Sequence, residues 1–296
     1  MVKSKKKEQN FVGSYSLRKE LSLVPSYLVL VLWVGFTAVI LLWVIAASLS
    51  TTSDIFTGNV FGFTSGVHIE NYARAWTAGN VSVFFMNSLI YSVISCALLI
   101  LVCAPYSYVL QRFQFPGSKL IKTTLAATTG VPVIMVIIPL YMIVARAGLL
   151  RDPIPNRIVL IVLFVATKIP YTTIFLMAYF ENISRSYEEA AAIDGCHPIK
   201  TFWRIVFPMA QGGLITVTIF NFVNIWNEYF LSLMFVNSDS LRPVALGLFS
   251  MINSMQYSGD WSGLFASVII VFLPTFILYV CLSKYIVGGL TGGVKG

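Results

Sequence analysis

The sequence predicts an all-α polytopic membrane protein with six transmembrane helices. Of its 296 residues, 57% are hydrophobic and only 11% are charged, whereas soluble domains carry about 25% charged residues. The mean hydropathy of +0.81 agrees with this balance. Because so few charged side chains cannot cover a surface that faces water, we expect lipid to be the main solvent of the chain.

Six apolar stretches are long enough to cross a bilayer, since a spanning helix needs about 20 residues. They cover residues 25–49, 83–109, 120–145, 157–180, 212–235 and 264–287. The chain then divides into a basic N-terminal segment (1–24), a first helix (25–49), an extracytoplasmic loop (50–82), a core of five helices (83–287) and a tail (288–296). The first stretch exceeds the apolar core of a signal peptide, about 7–15 residues, and we interpret it as a retained, peripheral helix. Cleavage near Ala46-Ala47-Ser48 is the alternative.

Lysine and arginine are concentrated in the N-terminal segment and in the segments after the second, fourth and sixth stretches. Cytoplasmic segments carry such an excess, so both termini are predicted to be cytoplasmic. The net charge of +8 follows from this topology. The sequence contains no compact basic domain or recognition motif for DNA or RNA, and no nucleic-acid partner is expected.

No pattern in the sequence points to a catalytic centre, a metal or a cofactor. The four cysteines form no C-x-x-C pair, and His68 and His197 are too far apart to suggest a metal site. The phosphate-binding pattern G-x-x-x-x-G-K-[ST] and the nucleophile pattern G-x-S-x-G are also missing. If the chain performs energised work, we therefore expect another protein to supply the energy.

A polar segment that favours helix formation, residues 181–211, separates the fourth and fifth stretches. Ser186 and Glu189 have capping-box spacing, and Glu188 also suits the positive end of a helix. The alanines that follow have high helix propensity and little bulk. Such a smooth face predicts a docking surface for another protein, with an ordinary amphipathic connector as the alternative.

The end of this segment is also patterned. Gly195 is typical of the left-handed residue that closes a helix. Pro198 is suited to begin a second short helix, which we expect to end at Pro208 where the chain enters the membrane.

The combined spacing resembles the signature of the membrane subunits of bacterial ATP-binding-cassette importers. It consists of Glu189-Ala190-Ala191, then Gly195, Ile205 and Pro208, with Phe207 in place of the usual leucine. Further stretches resemble carbohydrate-importer permeases, with the closest likeness to the second permease of maltose-type heterodimers. They are Asn87-Ser88-Leu89-Ile90, Arg112-Phe113-Gln114-Phe115-Pro116-Gly117, Trp226-Asn227-Glu228-Tyr229-Phe230 and the C-terminal Gly289-Leu290-Thr291-Gly292-Gly293-Val294-Lys295-Gly296. The resemblance covers about residues 20–296.

This resemblance implies a type I importer core in the cytoplasmic (inner) membrane of a bacterium or archaeon. Its partners would be a second homologous permease, two ATPase subunits that bind ATP and Mg²⁺, an extracytoplasmic solute-binding protein and a carbohydrate, expected to be an oligosaccharide. The loop 181–211 would hold a coupling helix that sits in a cleft of the ATPase. By position, the coupling residues would be Glu188, Glu189, Ala190, Ala191, Asp194, Gly195, Ile205 and Pro208.

Polar residues in the fifth stretch are candidates for the substrate path, because polar groups at membrane depth usually face a bundle interior or a cavity. They are Asn221, Asn224, Trp226, Asn227, Glu228 and Tyr229. Asn221, Asn224 and Glu228 would share one helix face. Lys168 and Tyr171 around Pro170 form a second polar island. Hydrogen bonding between helices, and a kink at Pro170, are the structural alternatives.

Other functions remain open at this point. The importer could carry another solute, such as a glycerol phosphate, an amino acid or a peptide. An ion-coupled secondary transporter would need ionisable groups within the membrane, and only Lys168 and Glu228 offer them. An intramembrane enzyme would need paired catalytic groups at depth, which no stretch supplies. The loop 236–263 could contact a binding protein or be a passive solvated loop.

Overall fold

A computed structural model describes the backbone of residues 2–291 and the side chains of residues 23–254 and 259–283. Within this part of the chain, the structure consists of α-helices, one π-helical turn (Phe202–Val206) and one 3-10 turn (Asp239–Leu241), and it contains no β-strand. The predicted tail, 288–296, lies outside the described residues from 292 onward.

Fourteen α-helices make up the described fold. They are α1 (Val2–Ser48), α2 (Thr52–Phe56), α3 (Glu70–Thr77), α4 (Val81–Arg112), α5 (Ser118–Thr129), α6 (Val133–Arg146), α7 (Pro153–Glu181), α8 (Ser186–Ile193), α9 (Pro198–Thr201), α10 (Phe207–Met209), α11 (Gln211–Trp226), α12 (Phe230–Phe235), α13 (Val244–Ser258) and α14 (Trp261–Thr291).

Four helical segments are long and apolar enough to cross a membrane, and two bent pairs bring the count to six. The straight ones are Leu23–Ser48, Val81–Arg112, Pro153–Glu181 and Trp261–Ser283. The pair α5 and α6 bends by 99°, and residues 198–209 meet α11 at 73°. The predicted third stretch is therefore two helices, because Pro132 has no amide hydrogen to donate and disfavours helical geometry at Val131.

The core forms where α4 packs against α7 and α11. Large buried side chains such as Tyr91, Leu99, Phe164 and Phe180 fill this contact. Small buried residues allow close approach, as where Ser107 Oγ donates to the Thr173 carbonyl at 3.1 Å. The candidate sites lie against these three helices.

The first helix lies at the edge of the bundle. Its most apolar window buries no residue. Among residues 23–48, whose side chains are described, the buried contacts lie at the end of the helix, where Ala46 and Ala47 pack near Val60 and Trp43 meets Phe265 at 5.2 Å. The helix begins at Val2, so it runs through the basic segment 1–24 that the sequence presents as separate. Lysine and glutamate are good helix formers, and this composition allows the helix to continue.

Two segments that the sequence presents as loops, residues 50–82 and 236–263, are largely folded. Asn71 on α3 donates to the carbonyls of Ser48 and Ser50, both at 3.0 Å, and Arg74 pairs with Asp260 at 3.0 Å. The loop 236–263 contains α13, so its interpretation as a passive solvated loop is wrong. Val244 and Leu246 are buried, and the Val244 amide donates to Ser88 Oγ at 2.9 Å.

Candidate functional site

The polar segment 181–211, where the sequence predicts a coupling helix, contains a short helix, α8, with two different faces. Ala191 is only 4% exposed and Glu188 is half-buried, so both face the bundle. Glu189, Ala190 and Ile193 lie on the opposite side, and Ile193 is 86% exposed. This arrangement follows from helical periodicity, since positions 189, 190 and 193 fall on one side of a helix. The outward face therefore offers a carboxylate, a small residue and an apolar side chain.

The predicted capping box does not form. The N-terminal cap is Arg185, whose carbonyl accepts from the amides of Glu188 and Glu189 at 3.0 Å. Ser186 lies inside the helix, and its hydroxyl pairs with Ser184 Oγ at 2.8 Å. Within the described chain the Glu189 carboxylate has no hydrogen-bond or ion-pair partner. It is consequently free to contact another protein.

An ion pair that the sequence does not predict fixes α8 to the membrane bundle. Arg112, the last residue of α4, donates from Nε to Glu188 Oε1 at 2.8 Å and from Nη2 to the Ile183 carbonyl at 2.5 Å. The Arg112 side chain is only 5% exposed. Arg112 belongs to one of the stretches that carry the family resemblance. Glu188 lies 76 positions later, and a pair so far apart leaves no local pattern in a sequence.

The structure confirms two predictions for the end of the segment 181–211, the left-handed Gly195 and the helix start at Pro198. Gly195 has φ +70°, and the Cys196 amide donates back to the Ala191 carbonyl at 2.8 Å, which is the six-residue closure of a Schellman turn. Asp194 is exposed at this turn. Pro198 is the first residue of α9, as predicted.

The helix that begins at Pro198 ends at Met209, one residue past the predicted end at Pro208, and it contains a π-helical turn that the sequence does not predict. Residues 202–206 form a π-helical turn, in which the Phe207 amide donates to the Phe202 carbonyl five positions earlier. Pro208 follows inside α10 and is exposed, while Ile205 is half-buried. Because proline has no amide hydrogen, the regular bonding pattern is interrupted here, and the wider turn accommodates the interruption. The chain bends only afterwards, at Ala210.

A cavity of about 410 Å³ lies between α7, α11 and the break between α5 and α6. It unites two groups that the sequence presents separately, the asparagines of the fifth stretch and the polar island of the fourth. Its lining consists of Thr128, Thr129, Val131, Val133, Thr167, Lys168, Pro170, Tyr171, Asn221 and Asn224. Asn221 is buried and donates to Thr172 Oγ1 at 2.9 Å, whereas Asn224 is exposed and bonds only the Phe220 carbonyl of its own helix.

The other four candidates of the fifth stretch lie where that stretch breaks. Helix α11 ends at Trp226, so Glu228 does not continue the face of Asn221 and Asn224, and that expectation is wrong. Its carboxylate instead accepts from the amides of Leu231, at 2.7 Å, and Ser232, at 3.2 Å, at the start of α12. Acidic groups are favourable at such a helix start.

The aromatic candidates at the break are held by packing. Trp226 is 0% exposed, and its indole Nε1 donates to the Val271 carbonyl at 3.1 Å. This burial removes the surface with which a substrate was expected to make contact. Tyr229 packs edge-on against Phe249 at 5.0 Å, and Asn227 is exposed with its amide on the Val223 carbonyl.

Comparison with known proteins identifies a family for the chain. Residues 99–291 match the family described as binding-protein-dependent transport system inner membrane component. The diacetylchitobiose uptake system permease protein NgcG of Streptomyces coelicolor is 33% identical over 268 residues, covering 90% of this chain and 87% of that protein. The trehalose transport system permease protein SugB of Mycobacterium tuberculosis is 28% identical, covering 89% and 94%.

A solved structure has the same fold. It is a bacterial ABC transporter involved in the import of the acidic polysaccharide alginate, and it matches with a TM-score of 0.75 at 21% identity, covering 89% of this chain and 97% of that one. The family match covers more than half of this chain, and NgcG is 33% identical across 90% of it. The chain belongs to the inner-membrane components of binding-protein-dependent transport systems.

Proposed function

We propose that this chain is the permease subunit of an ATP-binding-cassette importer that moves a carbohydrate across the cytoplasmic membrane. The observation that carries the proposal is the outward face of α8, where the unpaired Glu189 carboxylate lies beside Ala190 and the exposed Ile193. Together these three residues offer a partner protein a charge to pair with, a small side chain that permits close approach and an apolar contact. Its occupant is a separate ATPase, which binds ATP and Mg²⁺.

Each of the coupling candidates has a distinct part in this docking. Glu189 is suited to pair with a basic ATPase residue, and Ala190 permits close approach. Glu188 and Ala191 hold the helix to the bundle from its other face. Asp194 and Gly195 form the turn, and Ile205 in the π-helical turn and Pro208 in α10 belong to the connection that leads into α11. Movement of the ATPase is thereby passed to α4 and α11.

The carbohydrate assignment is supported by two independent features. Relatives are named for diacetylchitobiose, trehalose and multiple sugars. The cavity beside Lys168 is lined by hydroxyl and amide groups, which suit the hydroxyl groups of a sugar. The fold match supports a bundle of this kind but does not identify a solute.

The proposed assembly pairs this chain with a second, related permease, two ATPase subunits and an extracytoplasmic solute-binding protein. We place both termini in the cytoplasm, on the basis of the lysine and arginine distribution. The outer ends of the bundle, with the polar groove around Arg74 and Asp260, then face the binding protein.

Affinity purification of the tagged chain from native membranes tests this function, with mass spectrometry of the proteins that co-purify. We expect an ATPase and a second permease. Gly195→Val should reduce recovery of the ATPase, because a β-branched residue at φ +70° is strained by about 1–2 kcal/mol. Gly195→Asn is the matched control, since asparagine tolerates this conformation. The space around Gly195 is open, so a steric clash does not explain a difference.

A chain that purifies without any ATPase contradicts the proposal. Equal recovery of the ATPase with the valine and asparagine variants contradicts the assigned role of the turn. Reconstitution of the purified complex with its binding protein then tests transport directly, because sugar uptake should require ATP.

A further inference from the structure

Lys168 is an unusual group for its position in the membrane. It lies near the midpoint of α7, about 20 Å from either end at 1.5 Å per residue. A cation at this depth is costly, and such groups usually pair with an acid or face a polar cavity. Lys168 faces the 410 Å³ cavity, and its surroundings therefore indicate what the cavity receives.

Within the described chain Lys168 makes no hydrogen bond or ion pair. Glu228 is the acidic residue whose charge acts on Lys168 through space, without an ion pair between the two side chains. The Glu228 carboxylate already accepts hydrogen bonds from the amides of Leu231 and Ser232. The ammonium group consequently has hydrogen-bonding capacity that the chain itself leaves unused.

The rest of the cavity supplies neutral hydrogen-bonding groups, and Lys168 is the one charged residue among those that line it. Thr129 and Val133 lie at the sharp break where the carboxyl end of α5 meets the amino end of α6, so the partial charges of the two helix ends oppose each other there. Interrupted backbone at membrane depth normally lines a site or a water-filled cavity. Thr129, Tyr171 and Asn224 line the same space and are exposed. The volume falls within the range of small-molecule sites, about 300–1,000 Å³.

We propose that Lys168 binds an anionic oxygen group of the translocated carbohydrate, such as a carboxylate or a sulfonate, while the asparagine and hydroxyl groups bind its neutral part. The substrate class is then an acidic sugar. This inference rests on the proposed function. A phospholipid headgroup does not supply the anion, because headgroups lie at the membrane surface and Lys168 lies near the midpoint of a helix long enough to span the bilayer.

A thiol placed in the cavity measures the local charge, whichever sugar the importer carries. In the assembled importer, Cys196→Ser and Cys281→Ser remove the two cysteines that are not buried, and Thr129→Cys supplies the probe. Each rate is divided by the rate of the same reagent with a free thiol in water, and on this scale we expect an anionic methanethiosulfonate to be favoured about tenfold over a cationic one. Lys168→Gln should abolish the preference and Lys168→Arg should retain it. No preference would mean that a carboxylate of the second permease neutralises Lys168, and the inference would be wrong.

Protection of the same thiol tests the sugar class. Methyl galacturonoside should slow a neutral thiol reagent at concentrations about tenfold below those required of methyl galactoside. This difference should disappear with Lys168→Gln and persist with Lys168→Arg. Equal protection by both sugars, protection by neither, or a preference that survives Lys168→Gln overturns the inference. If the complex still assembles with its ATPase, the proposed function stands and only the acidic substrate is refuted.

Discussion

At the residue scale, Asp54 shows how one carboxylate organises the outer segment after α1. Its Oδ2 accepts from Thr51 Oγ1 at 2.7 Å, and its Oδ1 accepts from Ser65 Oγ at 3.2 Å and Thr64 Oγ1 at 3.3 Å. The hydrogen bond from Thr51 is the largest cause that lowers the pKa of Asp54, and partial burial opposes it. Bonding of this kind favours the charged carboxylate.

We expect Thr51→Val to raise the pKa of Asp54 toward its ordinary value. In the folded chain the pKa of Asp54 lies below its value in the unfolded chain. The ionised carboxylate therefore stabilises the folded state at pH values above the unfolded pKa, and this stabilisation is lost as the pH falls through the folded pKa. Carboxyl ¹³C shifts measured across this acidic range report the pKa directly.

Thr57→Val is the matched control for that titration. The Thr57 hydroxyl donates only to the backbone carbonyls of Ser53 and Asp54, so its loss should leave the Asp54 titration in place. If both valine variants shift the pKa equally, the assigned hydrogen bond is not the cause.

At the scale of elements, the two adjacent glutamates of α8 should have separable roles. Glu188→Gln leaves the buried Arg112 guanidinium without its counter-charge, and we expect a loss of about 1–3 kcal/mol in the free energy of unfolding. Glu189→Gln removes an exposed, unpaired carboxylate and should leave thermal stability unchanged while weakening ATPase binding. Melting temperatures and ATPase co-purification of the two variants distinguish the roles. An equal drop in melting temperature contradicts the two-faced helix.

The contact between α7 and α11 depends on a close approach at Gly213. A Cβ there would lie 2.5 Å from the Tyr179 ring carbon Cγ, so Gly213→Ala should destabilise the bundle by about 1–3 kcal/mol through overpacking. Gly212→Ala is the milder control, because its Cβ would meet the movable Tyr179 hydroxyl. Thermal unfolding in detergent checks the order, and adding Tyr179→Ala should relieve the Gly213→Ala defect.

The elements also show what a sequence can and cannot predict. The number of apolar stretches, the left-handed Gly195 and the helix start at Pro198 follow from local chemistry, and the structure confirms them. The end of α11 at Trp226 is not predicted because hydropathy does not reveal a bend. The Arg112–Glu188 pair is not predicted because contacts between distant positions depend on the packed fold. The cavity at Lys168 similarly requires three elements to meet.

At the scale of the whole molecule, the polar features are distributed along the bundle. Helix α8, the proposed coupling helix, follows one end of α7. The cavity at Lys168 lies near the middle of that helix, and the Arg74–Asp260 groove lies among the elements that we place outside. Apolar side chains cover much of α1 and α14 between these regions. This order is what a permease requires, since ATPase contact, sugar path and binding-protein contact must occupy successive depths.

Thiol labelling tests this order of depths across the membrane. In a background with Cys196→Ser and Cys281→Ser, a membrane-impermeant maleimide should label Asn253→Cys in spheroplasts, because residue 253 is exposed on the segment that we place outside. Ile193→Cys should be labelled only in inside-out vesicles, since α8 is placed in the cytoplasm. ATPase subunits should then protect Ile193→Cys, which is 86% exposed in the isolated chain, but not Asn253→Cys. Labelling of Ile193→Cys in spheroplasts would reverse the topology and leave α8 unable to reach a cytoplasmic ATPase.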